Sequence, residues 1–201
     1  MQEDLDDIDS YELTNDIITI SQLQVALRTK AHTLQAKLDQ LTKSADTQTL
    51  EGLFALLQQT ATLLLDNSEF WTHVLARSQT VDNREAAENL FYQLLEQERA
   101  RLNAVATPEN EGVNQQQPES FSSNGSSDYI VVTLLLSTSD DQPLFDEIYS
   151  ASLLRDVLQE ITMMRSRYLL VFELLWMPQK EADSLTDKEM NSFYGEMVAI
   201  G

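Results

Sequence analysis

The chain has 201 residues, no cysteine and a formal net charge of −20. A length near 200 suits one domain or two small ones, and 42% hydrophobic content suffices for a packed core. The missing cysteines exclude disulfide scaffolds, thiol nucleophiles, zinc ribbons and cysteine-held iron–sulfur clusters, and the charge argues against nucleic acid and anionic lipid surfaces, both of which attract Lys and Arg.

Residues 1–14 read as a flexible acidic tail: Glu3, Asp4, Asp6, Asp7 and Asp9 crowd its start. That start resembles neither a signal nor a transit peptide. The longest apolar runs, 129–136 and 168–177, fall short of the ~20 residues a membrane helix needs. These features predict a soluble, cytoplasmic protein with no transmembrane segment.

From Asn15 the apolar residues Ile20, Leu23, Leu27, Ala31, Leu34, Leu38 and Leu41 recur at steps of three and four, which predicts a first helix. It carries Arg28, Lys30, Lys37 and Lys43 against Asp39, the one basic stretch of the chain. The plain reading of these charges is a solvated polar face; the sharper one makes Arg28, Lys30 and Lys37 candidate contacts for an acidic partner or for the chain's own acidic tail. Thr49 is placed to cap a second helix with Glu51 in its first turn. Gly52, inside that turn, is tolerable where another backbone packs close.

Residues 69–77 alternate and suggest a short strand or extended segment. Asp82-Asn83-Arg84-Glu85 resembles a capping box with Asp82 as the cap, opening a third helix to about Leu102. Residues 15–103 thus read as a helical part. Residues 104–127, with two Pro, three Gln and a Ser/Asn/Gly run, read as a disordered linker. Residues 128–201 then change period. Residues 129–136 and 167–177 predict two long strands, the second ended by Pro178; Leu144–Ile148 is a candidate edge strand. Ser150 and Thr186 each cap a helix, the latter with Glu189 in a capping box. The expected fold is α+β, with three N-terminal helices packed against a β-rich C-terminal unit and its covering helix in one compact body.

Catalytic signals are few. His32 and His73 are the only imidazoles, so no His-rich metal site is expected. Five scattered glycines build no phosphate loop, and no Gly-x-Ser-x-Gly elbow occurs. The acidic run from Asp4 lacks an EF-hand's glycine and its twelfth-position Glu. No cofactor is implied. Glu173 interrupts the apolar strand 168–177; it either faces solvent or pairs with Arg155 or Arg165, or it is a buried acid–base group. Trp71 and Trp176 fit the core or its edge, and Trp71 is also a candidate interface anchor.

Specific blocks resemble a known family: Gln22-Leu23-Gln24-Val25-Ala26-Leu27, Ala45-Asp46-Thr47, Glu51-Gly52-Leu53, Glu69-Phe70-Trp71, Glu98-Arg99, Tyr129-Ile130-Val131-Val132 and Glu173-Leu174-Leu175-Trp176-Met177-Pro178. The chain is similar, over roughly 20–103 and 128–200, to the cyanobacterial and plastid family that includes the chloroplast fluctuating-light-acclimation protein. No catalytic motif comes with the family. The resemblance implies a cyanobacterial protein that acclimates photosynthesis to changing light, without catalysis, through a protein partner such as a thylakoid component. Many members carry a membrane segment before this region, where this chain has its acidic tail, and Tyr194-Gly195 stands where Tyr-Pro is usual. The alternatives are an enzyme using carboxylates such as Glu173 and a peripheral membrane protein docking through the first helix.

Overall fold

A computed structural model of the chain describes residues 16–28, 33–106, 129–180 and 183–200. The tail at 1–14, most of the linker at 104–127, Lys30 and His32 lie outside the described residues. The first described element is a strand: β1 spans Ile18–Arg28. After it come helices α1 (Leu34–Ser44) and α2 (Leu50–Asp66), strand β2 (Trp71–Val81) and helix α3 (Arg84–Ala106). The second half gives β3 (Tyr129–Thr138), α4 (Ala151–Met163), β4 (Leu169–Met177), α5 (Asp187–Tyr194) and the two-residue β5 (Val198–Ala199).

The five strands form one antiparallel sheet in the order β4-β3-β1-β2-β5. Three helices, α1, α2 and α4, cover one face. Leu23, Val25 and Leu27 of β1 and Ile130, Val132, Leu134 and Leu136 of β3 meet Leu38, Leu57, Leu64, Leu154 and Leu158 there. The opposite face carries α3, through Ala87, Phe91 and Leu95, and α5, through Met190 and Tyr194. The central strands β1 and β3 are buried on both sides along nearly their whole length.

The mixed α+β class therefore holds, but its distribution along the chain differs from the expectation. The stretch Ile20 to Leu41 is not one helix. Its first part is the centre of the sheet and only Leu34 onward is helical. The region 15–103 is accordingly not a helical part, because it supplies β1 and β2 to the same sheet as β3 and β4. Leu144–Ile148 forms no strand; Phe145 and Ile148 are buried as loop residues, and the Leu144 amide donates to Ser78 Oγ at 2.8 Å.

Local chemistry accounts for the element ends. Thr49 accepts from the Gly52 amide, Ser150 from Leu153, and Thr186 and Glu189 form a reciprocal capping box. The cap of α3 lies one residue later than expected: Asn83 Oδ1, not Asp82, accepts from the Ala86 amide at 2.8 Å. At Gly52 a Cβ would stand 1.9 Å from the Asp46 carbonyl oxygen, so the turn into α2 requires the missing side chain. Gln35 of α1 reaches across to the segment after β4, donating to the Pro178 and Lys180 carbonyls at 2.8 and 2.9 Å.

Candidate functional site

The stripe of α3 facing the sheet contains a carboxylate. Ala87, Phe91 and Leu95 are apolar, and the next residue on that side is Glu98, 2% exposed. Beneath it, β1 presents Gln22 and Gln24 on alternate positions, and β3 places Thr133 opposite Gln24 in the ladder. Gln24 Nε2 donates to Glu98 Oε1 at 2.7 Å and Gln22 Nε2 at 3.1 Å; Thr133 donates to Oε2 at 3.4 Å. Arg101, one turn on, donates to Oε1 as well. The guanidinium also lies 5.3 Å over the ring of Tyr194 on α5, whose hydroxyl donates to Met177 Sδ at 3.8 Å. One buried acid thus ties α3, β1 and β3 together, and Arg101 extends the contact to α5.

Burial pushes the Glu98 carboxyl above its ordinary value; the Arg101 charge and the donors from Arg101, Thr133 and Gln24 pull it partly back. Burial, reinforced by the nearby Glu98 charge, drives the Tyr194 phenol well above its usual range. The arrangement stores a charge inside the helix–sheet interface. Glu98, Gln22, Gln24 and Thr133 are buried between α3 and the sheet, and Arg101 alone of the group is partly exposed.

A second constellation lies at the end of the sheet where β1 finishes. Arg28 stacks 4.8 Å over the Tyr129 ring, and His73 meets the same ring edge-on at 5.8 Å. The Tyr129 hydroxyl donates to Asp187 Oδ1 at 2.9 Å. His73 Nδ1 is buried without a hydrogen-bond partner, and burial, then the Arg28 charge, lowers its pKa while Asp187 opposes them. No group of three or more acidic or imidazole side chains that could hold a metal occurs among the described residues.

The residues singled out in the sequence are dispersed. Arg28 ends a strand, whereas Lys37 is exposed on α1, so they do not share the face of one basic helix. Trp71 is 6% exposed, with its indole N–H donated to the Leu64 carbonyl at 3.1 Å and the Arg155 guanidinium 5.6 Å over its ring. Glu173 is half-buried on the terminal strand β4, in register with Leu135. No described hydrogen bond or ion pair joins it to Arg155, Arg165 or a second carboxylate. The site that the chemistry of the residues did not single out is Glu98, although its place in the stripe of Ala87, Phe91, Leu95 and Leu102 is visible in the spacing.

Between α3 and the strands β1, β3 and β4 lies a cleft of about 420 Å³, its sheet side formed by Ile18, Ser137, Leu170 and Val171 and its helix side by Phe91 and Ala87 with the polar Arg84, Glu88 and Tyr92. No described helix is long and apolar enough to cross a membrane.

An antiparallel sheet sandwiched between helices and pinned by a sealed carboxylate defines a scaffold with its acid inside. Residues 17–200 match the family described as protein of unknown function DUF1517, and the chain belongs to that family. It is similar to the Protein FLAP1 homolog A of Synechocystis, 31% identical over 91% of this chain and 57% of that protein. It is also similar to the chloroplastic FLUCTUATING-LIGHT-ACCLIMATION protein 1 of Arabidopsis thaliana, 28% identical over 88% of this chain and 45% of that protein. The chain spans about half the length of these relatives. No solved structure matches it.

Proposed function

We propose that the chain is a non-catalytic, partner-binding protein that serves acclimation of photosynthesis to changing light, working in the cytoplasm or at the periphery of the thylakoid. The names of its relatives supply the physiological context. The observation that carries the molecular part is Glu98. The carboxylate with the raised pKa is 2% exposed and already accepts from Gln22, Gln24, Thr133 and Arg101, so its role is to hold the scaffold together. Glu173, the acid of the enzymatic alternative, has no second titratable group bound to it among the described residues.

The test is to substitute this chain for the matching segment of the Synechocystis relative. Growth under alternating light and crosslinked partners are then measured together. The reading expects growth to be restored and a discrete protein partner to be recovered. Restoration without any partner, or turnover of a small molecule by the purified chain, would overturn it.

A further inference from the structure

Strand β4 ends the sheet, and among the described residues no strand pairs with its outer edge. Its sequence, Leu-Leu-Val-Phe-Glu-Leu-Leu-Trp-Met, is apolar apart from Glu173 at its centre. An edge of this kind presents unpaired backbone donors and acceptors to any extended chain. Two features limit which chain it accepts. The ladder with β3 shifts between Ser137 and Thr138, so Leu170 has no partner there and stands 37% exposed. In an antiparallel pairing of two copies along the whole strand, Glu173 would also face itself, and like charges directly opposite are unfavourable. The net charge of −20 adds to that repulsion.

We infer that the β4 edge is a docking site for an extended segment of a partner protein that carries a Lys or Arg opposite Glu173 and an apolar side chain two residues away. This rests on the partner-binding reading above. Val171 and Glu173 lie two apart and so share the sheet face covered by α3. Val171, with Leu170, Phe91 and Ile18, lines the 420 Å³ cleft beside that edge. Alternate residues of an added strand fall on the same face: one reaches the cleft beside Val171 and the next meets Glu173. Main-chain pairing supplies affinity, and the cleft and Glu173 supply register and charge selectivity.

The experiment uses the full chain and two blocked nine-residue peptides of alternating valine and threonine, with a central lysine or a central glutamate. Backbone amide shifts are followed by NMR, and self-association by sedimentation. The expected result is that the lysine peptide perturbs amides of β4 and binds roughly tenfold more tightly than the glutamate peptide. Glu173→Lys should reverse that preference, and Glu173→Leu should raise self-association. Equal binding of both peptides, shifts away from β4, or pairing of wild-type chains through β4 would overturn the inference. If cells yield a partner equally with wild type and Glu173→Lys, the β4 assignment fails while the partner-binding reading stands; if neither yields a partner, that reading itself fails.

Discussion

Replacing Glu98 by alanine should be among the most damaging single changes on the α3 face. The side chain is 2% exposed and accepts from two glutamines that are themselves 3% and 2% exposed. Truncation leaves Gln22 without its partner and Gln24 with only Thr133, at 3.3 Å. Arg101, with a quarter of its side chain exposed, can turn to water. The one buried amide left without a partner costs about 1–3 kcal/mol, and the weakened contacts of Gln24 with the lost side-chain volume bring the total to about 4 kcal/mol. That is a large share of the ~5–15 kcal/mol that separates folded from unfolded states. Urea denaturation should show a lower midpoint with an unchanged slope, and thermal unfolding should fall by about 10 °C. Glu96→Ala, on the exposed side of the same helix and paired with Arg99, is the control and should change stability by less than about 0.5 kcal/mol. A Glu98→Ala loss under about 1 kcal/mol, or one equal to the control, would refute the claim that this acid holds the layers together.

Glu98 also sets a pH signature. Its folded pKa lies above the ordinary 4.5, so the folded state binds the proton more readily than the unfolded chain. Stability from this group is full below 4.5 and is lost as pH rises through the raised value; wild type should therefore gain on Glu98→Gln as pH falls through that window, read by urea midpoints of both proteins. His73 runs the other way, because its pKa is lowered from 6.5: stability present above 6.5 is lost as pH falls through the lowered value, and His73→Phe, compared by thermal unfolding, should flatten that decline. Gly52→Ala should destabilise by about 1–3 kcal/mol in chemical denaturation despite alanine's better helix propensity, because the new Cβ meets the Asp46 carbonyl oxygen at 1.9 Å. Thr186→Ala should lower stability by about 1 kcal/mol by removing one half of the capping box on α5, visible as a lower melting temperature.

Much of the second half was legible because strand period, caps and proline agree. Ser150, Thr186 and Glu189 cap as their spacing demands, and the β-branched run from Tyr129 is a strand buried on both faces. The first strand was hidden for a physical reason. Leu23 and Leu27 fit a helical step of four as well as an alternation with Val25, and short apolar runs do not separate the two periods. Gln22 and Gln24 look like solvent-facing residues in sequence, yet they are buried, and the acid that satisfies them comes from a helix 74 and 76 positions away. The β-branched Ile18, Thr19, Ile20 and Val25 were the local sign of a strand. For the same reason Glu173 drew attention and Glu98 did not. A charge inside an apolar strand is conspicuous, whereas one on a helix with charged neighbours is not, although Glu98 follows Phe91 by seven and Leu95 by three. Arg28 and Lys37 were assigned to one basic helix because the apolar steps of three and four run through both; the passage from β1 to α1 puts them on different elements.

The central claim is that this acid-filled scaffold works by binding a protein partner along the β4 edge. The most direct measurement is crosslinking mass spectrometry on cells growing under alternating light, comparing wild-type chain with Glu173→Lys. The account predicts crosslinks from the neighbourhood of β4 to a Lys- or Arg-bearing extended segment of one protein, greatly reduced by Glu173→Lys. Crosslinks that map elsewhere on the chain, or that survive the substitution unchanged, would contradict it.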